Sequence, residues 1–123
     1  MNTNFNELPW HDAILQFIYI DRQKPGDQDV IRILIDWPGS SSPSTIEFYD
    51  CYALNMNMNF GIVACESILT AECFSDSIEL NAVRKVWSKA GIYLEDLKYF
   101  KIITNSTNST INIFALGFKM IHH

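Results

Sequence analysis

The feature that most constrains the fold is the segment 45–60, in which apolar and polar residues alternate along the whole length. The apolar positions are Ile46, Phe48, Tyr52, Leu54, Met56, Met58 and Phe60, and the intervening positions are Glu47, Tyr49, Cys51, Asn55, Asn57 and Asn59. Because successive side chains of a strand point to opposite faces, this period of two predicts a long, half-buried β-strand. Asp50 interrupts the apolar positions, so we expect a bend at Asp50 and Cys51.

Several other segments also have the composition of strands. They are residues 13–21, 30–37, 62–74, 97–104 and 110–121. The first is apolar on both faces, so it is predicted to be covered on both sides or to contain a bulge. Segment 62–74 is predicted to be a strand. A helix is the alternative, because the Ala, Glu and Leu residues of this segment permit a helix. The last two flank the Asn-rich loop 105–109 and predict a C-terminal hairpin.

One helix is predicted, from about residue 76 to residue 90. Asp76 can serve as the N-cap, and Glu79 three residues later completes a capping box. Its apolar residues at helical spacing are Leu80, Val83 and Trp87. Gly91 supplies the left-handed stop that commonly ends a helix.

These elements predict an α+β fold. Parallel strands need long crossovers and only one helix is available, so the strands are expected to pair antiparallel. The expected architecture is a curved sheet or a two-sheet sandwich of five to six strands, with the helix ahead of the C-terminal hairpin. The 123 residues suit a single domain, in which residues 1–9 and 122–123 are expected to be loose.

Composition limits the partners and the compartment. Nine Lys and Arg against fourteen Asp and Glu give a net charge of −5, which argues against nucleic acid and anionic membranes because both need basic patches. The N-terminal residues lack the regions of a secretory signal, and no apolar stretch is long enough to span a membrane. Three cysteines without a CxxC motif fit reduced thiols. A cytoplasmic chain is expected.

Histidine is scarce, and His11 is the main candidate for chemistry because His122 and His123 end the chain. Asp12 follows His11 directly. The pair is either a base or ligand site, or a structural corner whose side chains bond backbone groups. The other residues expected around such a pocket are Trp10, Trp37 and Asp50. No nucleophile motif, metal-ligand spacing or glycine-rich phosphate motif occurs, so no catalytic residue, metal or cofactor is assigned.

The long alternating segment holds two features that have both a structural and a functional interpretation. Asp50 is either a carboxylic acid working among apolar residues or the mark of a bulge. Asn55, Asn57 and Asn59 form a row, with Tyr49 on the same face. The row is either the solvated side of a strand or an uncharged hydrogen-bonding strip that suits a protein partner or a sugar.

The N-terminal third resembles a known kind of domain. The residues that carry the resemblance are Trp10-His11-Asp12-Ala13-x-Leu15-x-x-Ile18-x-Ile20-Asp21-Arg22, followed by Asp29-Val30-x-x-x-x-Ile35-x-Trp37. This resembles the opening of small, uncharacterised bacterial domains that begin with a His-Asp step into a first strand. Some of those are immunity proteins of polymorphic toxin systems, which are small acidic inhibitors. The resemblance implies a bacterial α+β protein that acts by binding, and it transfers no catalytic residue.

Three functions remain open. The working hypothesis is a non-enzymatic protein-binding module, including an immunity-type inhibitor of a basic toxin, because an acidic chain suits a partner with a basic cleft. The second is a small-molecule binding protein or small enzyme with a pocket around His11 and Asp12. The third is a homo-oligomeric structural module that pairs through an exposed strand edge.

Overall fold

The computed structural model describes residues 4–123, which form one six-stranded antiparallel sheet and one α-helix. In chain order the elements are a 3₁₀ helix (Phe5–Glu7), β1 (Ile14–Asp21), β2 (Val30–Asp36), β3 (Ser44–Asn57), β4 (Ile68–Phe74), α1 (Ile78–Ser88), β5 (Lys98–Thr104) and β6 (Thr110–His122). The predicted α+β class is confirmed, with α1 ahead of a C-terminal hairpin of β5 and β6. Of the two expected arrangements, the structure adopts the single curved sheet.

The sheet curls until its two outer strands meet. The strand order is β1-β2-β3-β6-β5-β4, and each neighbouring pair is antiparallel. At one end Ile14 forms a bridge with Ser67. Next to it, the Ile68 N–H donates to the Ala13 carbonyl at 2.7 Å. These bonds join the start of β1 to the start of β4, so the sheet is closed on itself at that end.

The larger of two apolar clusters lies on the inner face of the curled sheet, and we call it the inner cluster. Its fully buried members include Ile33, Ile35, Ile46, Phe48, Ile68, Phe100, Ile102, Ile111 and Ile113. The 3₁₀ helix adds Phe5, whose ring lies 5.0 Å from that of Phe100 and 5.1 Å from that of Phe118. Within residues 4–9, which were expected to be loose, Phe5 is buried, and burying a large apolar side chain stabilises a fold by about 1.5–3 kcal/mol. Residues 1–3 lie outside the described residues.

The smaller cluster lies on the outer face, where α1 covers the sheet. The helix residues that pack against Tyr99 and Phe114 of the sheet are Leu80, Val83 and Trp87. This is the apolar stripe that the helical spacing predicts. Gly91 follows the helix with a φ of 80°, so the predicted stop is confirmed.

The N-cap of α1 is Ser77, not Asp76. The Ser77 hydroxyl accepts a hydrogen bond from the Leu80 N–H at 3.0 Å. The Asp76 carboxylate instead accepts one from the Asn81 side chain at 3.4 Å. Asp and Ser are equally good N-cap residues, so the sequence alone does not distinguish them. The predicted capping box of Asp76 and Glu79 is therefore wrong by one residue.

β3 bends at Asp50, as the break in the apolar pattern predicts. Asp50 has a φ of 50°, and the pairing of β3 with β6 shifts register between Cys51 and Ala53. Tyr52 packs against Trp87 on the outer face, with ring centroids 5.0 Å apart, while Cys51 packs with the inner cluster. The expected faces of Tyr52 and Cys51 are therefore wrong, because a bulge reverses the side on which the following residues lie.

The remaining predicted strands form close to their expected bounds, with one difference. β1 contains the expected irregularity, between Leu15 and Phe17. Segment 62–74 is a strand only from Ile68, and residues 58–66 form a loop. The loop separates the last paired residue of β3 from the first residue of β4. The loop carries several exposed apolar side chains.

The two terminal histidines are ordered against β3. His122 belongs to β6, and its Nδ1 lies 3.0 Å from the Ser44 hydroxyl. His123 Nε2 lies 2.6 Å from the Thr45 hydroxyl. These residues were expected to be loose, and in the structure β6 is paired with β3 as far as His122.

Candidate functional site

The two tryptophans proposed for a pocket belong to the core. Trp10 is 4% exposed and Trp37 8% exposed, and their ring centroids lie 4.9 Å apart. The Trp10 indole N–H donates to the Phe5 carbonyl at 2.8 Å. Both rings are therefore occupied by packing, and neither offers a free face to a ligand.

His11 and Asp12 form an exposed corner ahead of β1. Asp12 has a φ of 66°, and its backbone N–H donates to the Ile68 carbonyl at 3.1 Å. The His11 ring lies 3.7 Å from the Asp12 carboxylate and 3.5 Å from the Leu69 carbonyl. About 70% or more of each side chain is open to solvent. The backbone of this corner joins β1 to β4, and neither side chain lines the clefts at the bend of β3, beside Phe5 or at Arg84.

Asp50 lies at the edge of an open cleft of about 620 Å³ between the β1–β2 turn and the bend of β3. The cleft also contains the ion pair of Arg22 and Asp29, whose charged atoms are 2.9 Å apart. Burial raises the pKa of the Cys51 thiol to about 12. The thiol is therefore protonated at neutral pH, and its sulfur donates to the Phe48 carbonyl at 3.3 Å. A protonated, buried thiol is not a nucleophile.

The outer face of β2 and of the first part of β3, before the bend, carries an ion triad. Glu47 contacts Arg32 at 2.8 Å and Lys119 at 3.1 Å, while only 9% of its side chain is exposed. Burial acts to raise the pKa of the Glu47 carboxyl, but hydrogen bonds from Lys119 and Arg32 outweigh it and hold the pKa below its usual value. The Arg32 guanidinium also lies 5.8 Å above the Tyr19 ring. Next to it, Phe17 is 54% exposed.

One end of the molecule is almost free of charge. Segments 51–71 and 102–118 together contain a single charged residue, Glu66. The two segments meet in space because the end of β3 pairs with the start of β6, Asn57 lying opposite Thr110. We call this end, made of residues 55–66 and the turn 105–109, the charge-poor pole.

The predicted asparagine strip divides at this pole. Asn55 and Asn57 are exposed at the end of β3. Asn59 is structural, because its side-chain amide donates to the carbonyls of Thr107 (3.0 Å) and Asn108 (3.2 Å). Tyr49 lies beyond the bend, away from the pole, opposite Gly117 of β6. The structure therefore brings only two of the four residues together on an open surface.

Loop 58–66 is fixed at both ends by side-chain hydrogen bonds to the turn 105–109. At the first end, the Asn59 N–H donates to the Ser109 hydroxyl at 2.8 Å, in addition to the amide bonds. At the second end, the Glu66 carboxylate accepts from the Thr107 hydroxyl at 2.7 Å and from its N–H at 3.3 Å. The Ser106 hydroxyl donates to the Cys65 carbonyl. These contacts fix both ends of the loop to the turn, and we call them the loop clamp.

The middle of the loop, residues 60–64, exposes large apolar side chains to solvent, and we call it the loop tip. Phe60 is 85% exposed, Ile62 is 57% exposed and Val63 is fully exposed. Sequence reasoning missed this feature because it placed Phe60 on the inner face of β3 and Ile62 in a strand. The available signals were Gly61, which has a φ of 94° and ends the alternation, and the absence of nearby charge.

The remaining observations on the described residues concern metal ligands, thiols and membrane-spanning helices. Within residues 4–123, no three His, Cys, Asp or Glu side chains are grouped closely enough to hold a metal ion. The three cysteines are free thiols. No helix of the described chain is long and apolar enough to cross a membrane.

The sequence matches no protein-family model, and it matches no curated protein or solved structure.

Proposed function

We propose that this chain is a non-enzymatic protein-binding module and that the charge-poor pole is its contact surface. The observation that carries the proposal is the loop tip, where Phe60, Ile62 and Val63 are exposed on a loop whose ends are fixed. Contiguous exposed apolar side chains on a folded domain are typical of interaction sites. Because the clamp already orders the loop, little conformational entropy is lost when a partner covers the tip.

The composition of the pole supports a protein as the partner. The cores of protein interfaces are poor in charge and rich in aromatic residues and Met, with polar groups around them. The pole has this arrangement: Met56 is 38% exposed beside the loop, and Asn55 and Asn57 supply uncharged hydrogen-bonding groups. An apolar pocket that receives Phe60 and Val63 is the complementary surface.

The distribution of acidic residues supports a basic protein as the partner. Apart from Glu66, every acidic residue lies outside segments 51–71 and 102–118, and the chain carries a net charge of −5. Such a distribution attracts a basic partner over long range while leaving the contact itself uncharged. A basic toxin with an apolar pocket, inhibited in a bacterial cytoplasm, fits both properties. This is the immunity-type function implied by the N-terminal resemblance.

The proposal is tested by capture from a lysate of the source cells with three forms of the protein. The first is the wild type, the second is Phe60→Ser/Val63→Ser, and the third is the matched control Ile78→Ser/Val86→Ser. The control removes two apolar side chains of similar exposure, 86% and 66%, from α1. We expect one stoichiometric basic protein with the wild type and the control, and at least a tenfold loss of affinity with the loop variant, since interface anchors of this kind contribute about 1.4 kcal/mol or more each.

Three results would contradict the proposed contact surface, the electrostatic attraction or the binding function itself. If the loop variant binds the same protein as tightly as the control does, the charge-poor pole is not the contact surface. Affinity that is unchanged between low and high salt removes the electrostatic part of the proposal, because attraction of a basic partner is screened by salt. Absence of any stoichiometric partner at native expression levels contradicts the binding function.

A further inference from the structure

We infer that the free edge of β1 pairs with β1 of a second copy of this chain, forming a twofold-symmetric dimer with a continuous sheet. β1 is an outermost strand of the sheet, and β2 pairs with only one of its edges. On the other edge, the bonds to the start of β4 end where the Leu15 N–H donates to the Glu66 carbonyl at 2.8 Å. Beyond Leu15, no described residue forms backbone hydrogen bonds with this edge.

The unpaired part of β1 lacks the features that keep strand edges apart. Natural edges are protected by charged residues, proline, bulges or a covering loop. Residues 14–20 contain no charged residue, no proline and no glycine. The one irregularity, between Leu15 and Phe17, lies at the closed end. Phe17, Tyr19 and Ile20 are 54%, 45% and 40% exposed along the same edge.

The sequence of β1 is complementary to itself in one antiparallel register. With the twofold axis at Ile18, Phe17 lies opposite Tyr19 of the second copy, and each strand presents the same pair. Both residues lie on the outer face, because they pair with Leu34 and Arg32 of β2. Directly opposed aromatic rings stabilise antiparallel strands. An axis at Tyr19 would instead place Phe17 opposite the carboxylate of Asp21, so the register at Ile18 is preferred.

Charge permits two like copies to meet along β1. Each copy carries a net charge of −5, so two copies repel wherever acidic residues meet. Pairing along residues 16–20, the part of β1 that is free of β4, brings no charged residues face to face. The exposed parts of the two rings amount to roughly 200 Å² per copy, a small area, so we expect a weak dimer with a dissociation constant in the micromolar range. Added salt should strengthen the dimer, since it screens the repulsion.

The dimer is tested by sedimentation velocity of the purified chain over about 5–500 µM, the range in which a micromolar dimer forms. We expect concentration-dependent dimerisation of the wild type. Phe17→Lys should remain monomeric, because it places two cations along the shared edge. The matched control Val86→Lys, at a 66% exposed position of α1, should dimerise like the wild type. A wild type that stays monomeric over the whole range, or a Phe17→Lys variant that dimerises normally, overturns the inference.

Disulfide trapping tests the register. In a Cys65→Ser background, Phe17→Cys/Tyr19→Cys should form covalent dimers on mild oxidation, because directly opposite residues of antiparallel strands lie within disulfide distance. Tyr19→Cys alone should not, since it meets its own copy only in the register centred on Tyr19. Efficient linkage of the single variant, or none with the double variant, contradicts the proposed register. Phe60→Ser/Val63→Ser leaves β1 intact, so it distinguishes failure of this dimer from failure of the proposed function.

Discussion

Phe48 and Phe60 fall on the same face of one alternating segment, yet the structure places them in opposite environments. Phe48 is fully buried in the inner cluster, whereas Phe60 is 85% exposed. Phe48 lies in the part of β3 that has a strand on either side, opposite Ile31 of β2 and Phe118 of β6. Phe60 follows the last paired residue of β3. Alternation thus indicates which side a residue occupies, but neighbouring strands decide whether that side is covered.

The two regions are also held by different forces. The inner cluster is stabilised by burial of apolar surface, which depends on close packing. The loop tip contributes little burial of its own, and its position depends on hydrogen bonds from the ends of loop 58–66 to the turn 105–109. Substitutions in the two regions should therefore differ in size and in kind.

The largest expected difference is between Phe48→Ala and Phe60→Ala. The first leaves a cavity in the inner cluster and should lower the free energy of unfolding by about 3–5 kcal/mol. The second removes a solvated ring and should change it by less than about 0.5 kcal/mol. Urea denaturation of both variants against the wild type measures the contrast. A loss of more than about 2 kcal/mol for Phe60→Ala would show that the ring is packed in solution.

Gly117→Ala extends the comparison to a close contact between the neighbouring strands β3 and β6, where Tyr49 lies opposite Gly117. A Cβ at this position would lie 2.6 Å from Cζ of Tyr49 and even closer to its hydroxyl. The Tyr49 ring, which is 39% exposed, must turn aside to admit the methyl group, so we expect a cost toward the lower end of the roughly 1–3 kcal/mol typical of overpacking, which denaturation should reveal. The double variant Tyr49→Ser/Gly117→Ala removes the obstructing ring. If Gly117→Ala destabilises the protein equally with and without the Tyr49 ring, the cause is not this contact.

Glu47→Gln probes a polar group within a packed face, and its effect should depend on pH. Because the folded-state pKa of Glu47 lies below its usual value, the carboxylate stabilises the fold above the unfolded-state pKa, and this contribution is lost as pH falls through the folded-state pKa. At neutral pH we expect the variant to be less stable by about 1–2 kcal/mol, because Arg32 and Lys119 lose their partner. The difference should begin to shrink as pH falls below the unfolded-state pKa of about 4.3, and it should vanish once the pH is below the lowered folded-state pKa. A difference that is constant from pH 7 to about pH 3 would contradict this coupling.

The smallest expected change in stability comes from Ser106→Ala, which removes the hydroxyl that bonds to the Cys65 carbonyl. The loss should be about 1 kcal/mol. Hydrogen exchange of amides in loop 58–66 should nevertheless accelerate, because the loop loses part of its clamp. Ser41→Ala, at an exposed position of another loop, is the control. Unchanged exchange in loop 58–66 would show that the clamp does not depend on Ser106.

Most of the fold could be predicted because the strands are long and strongly patterned. The alternation identified β2 and β3, the break at Asp50 located the bend, and the Asn-rich loop 105–109 indicated the hairpin of β5 and β6. The 3₁₀ helix was missed because Phe5 is a lone apolar residue among polar ones and has no periodicity. The closure of the sheet at Ile14 and Ser67 was missed as well, because a contact between residues so far apart in sequence leaves no local signal.

The candidate site was less predictable than the fold. Sequence reasoning selected residues by type, such as His11, Trp10 and Trp37, and the structure uses both tryptophans for packing. It also selected Asn59 for a hydrogen-bonding strip. In the structure the Asn59 amide donates to the turn 105–109 and so holds loop 58–66 in place. The loop tip is recognised only when the end of strand pairing is known, because its residues look like core residues in the sequence.

The bridge between Ile14 and Ser67 also has a consequence for how the molecule folds. The meander of β1, β2 and β3 and the hairpin of β5 and β6 connect residues that are close along the chain, so their contacts form with little loss of loop entropy. The pairing of β3 with β6 joins these two parts along twelve residue pairs. The bridge is a short contact that requires this pairing to be in place. We therefore expect it to close last during folding and to open first under mild denaturant, releasing Phe5 and the corner at His11 before the rest of the sheet separates.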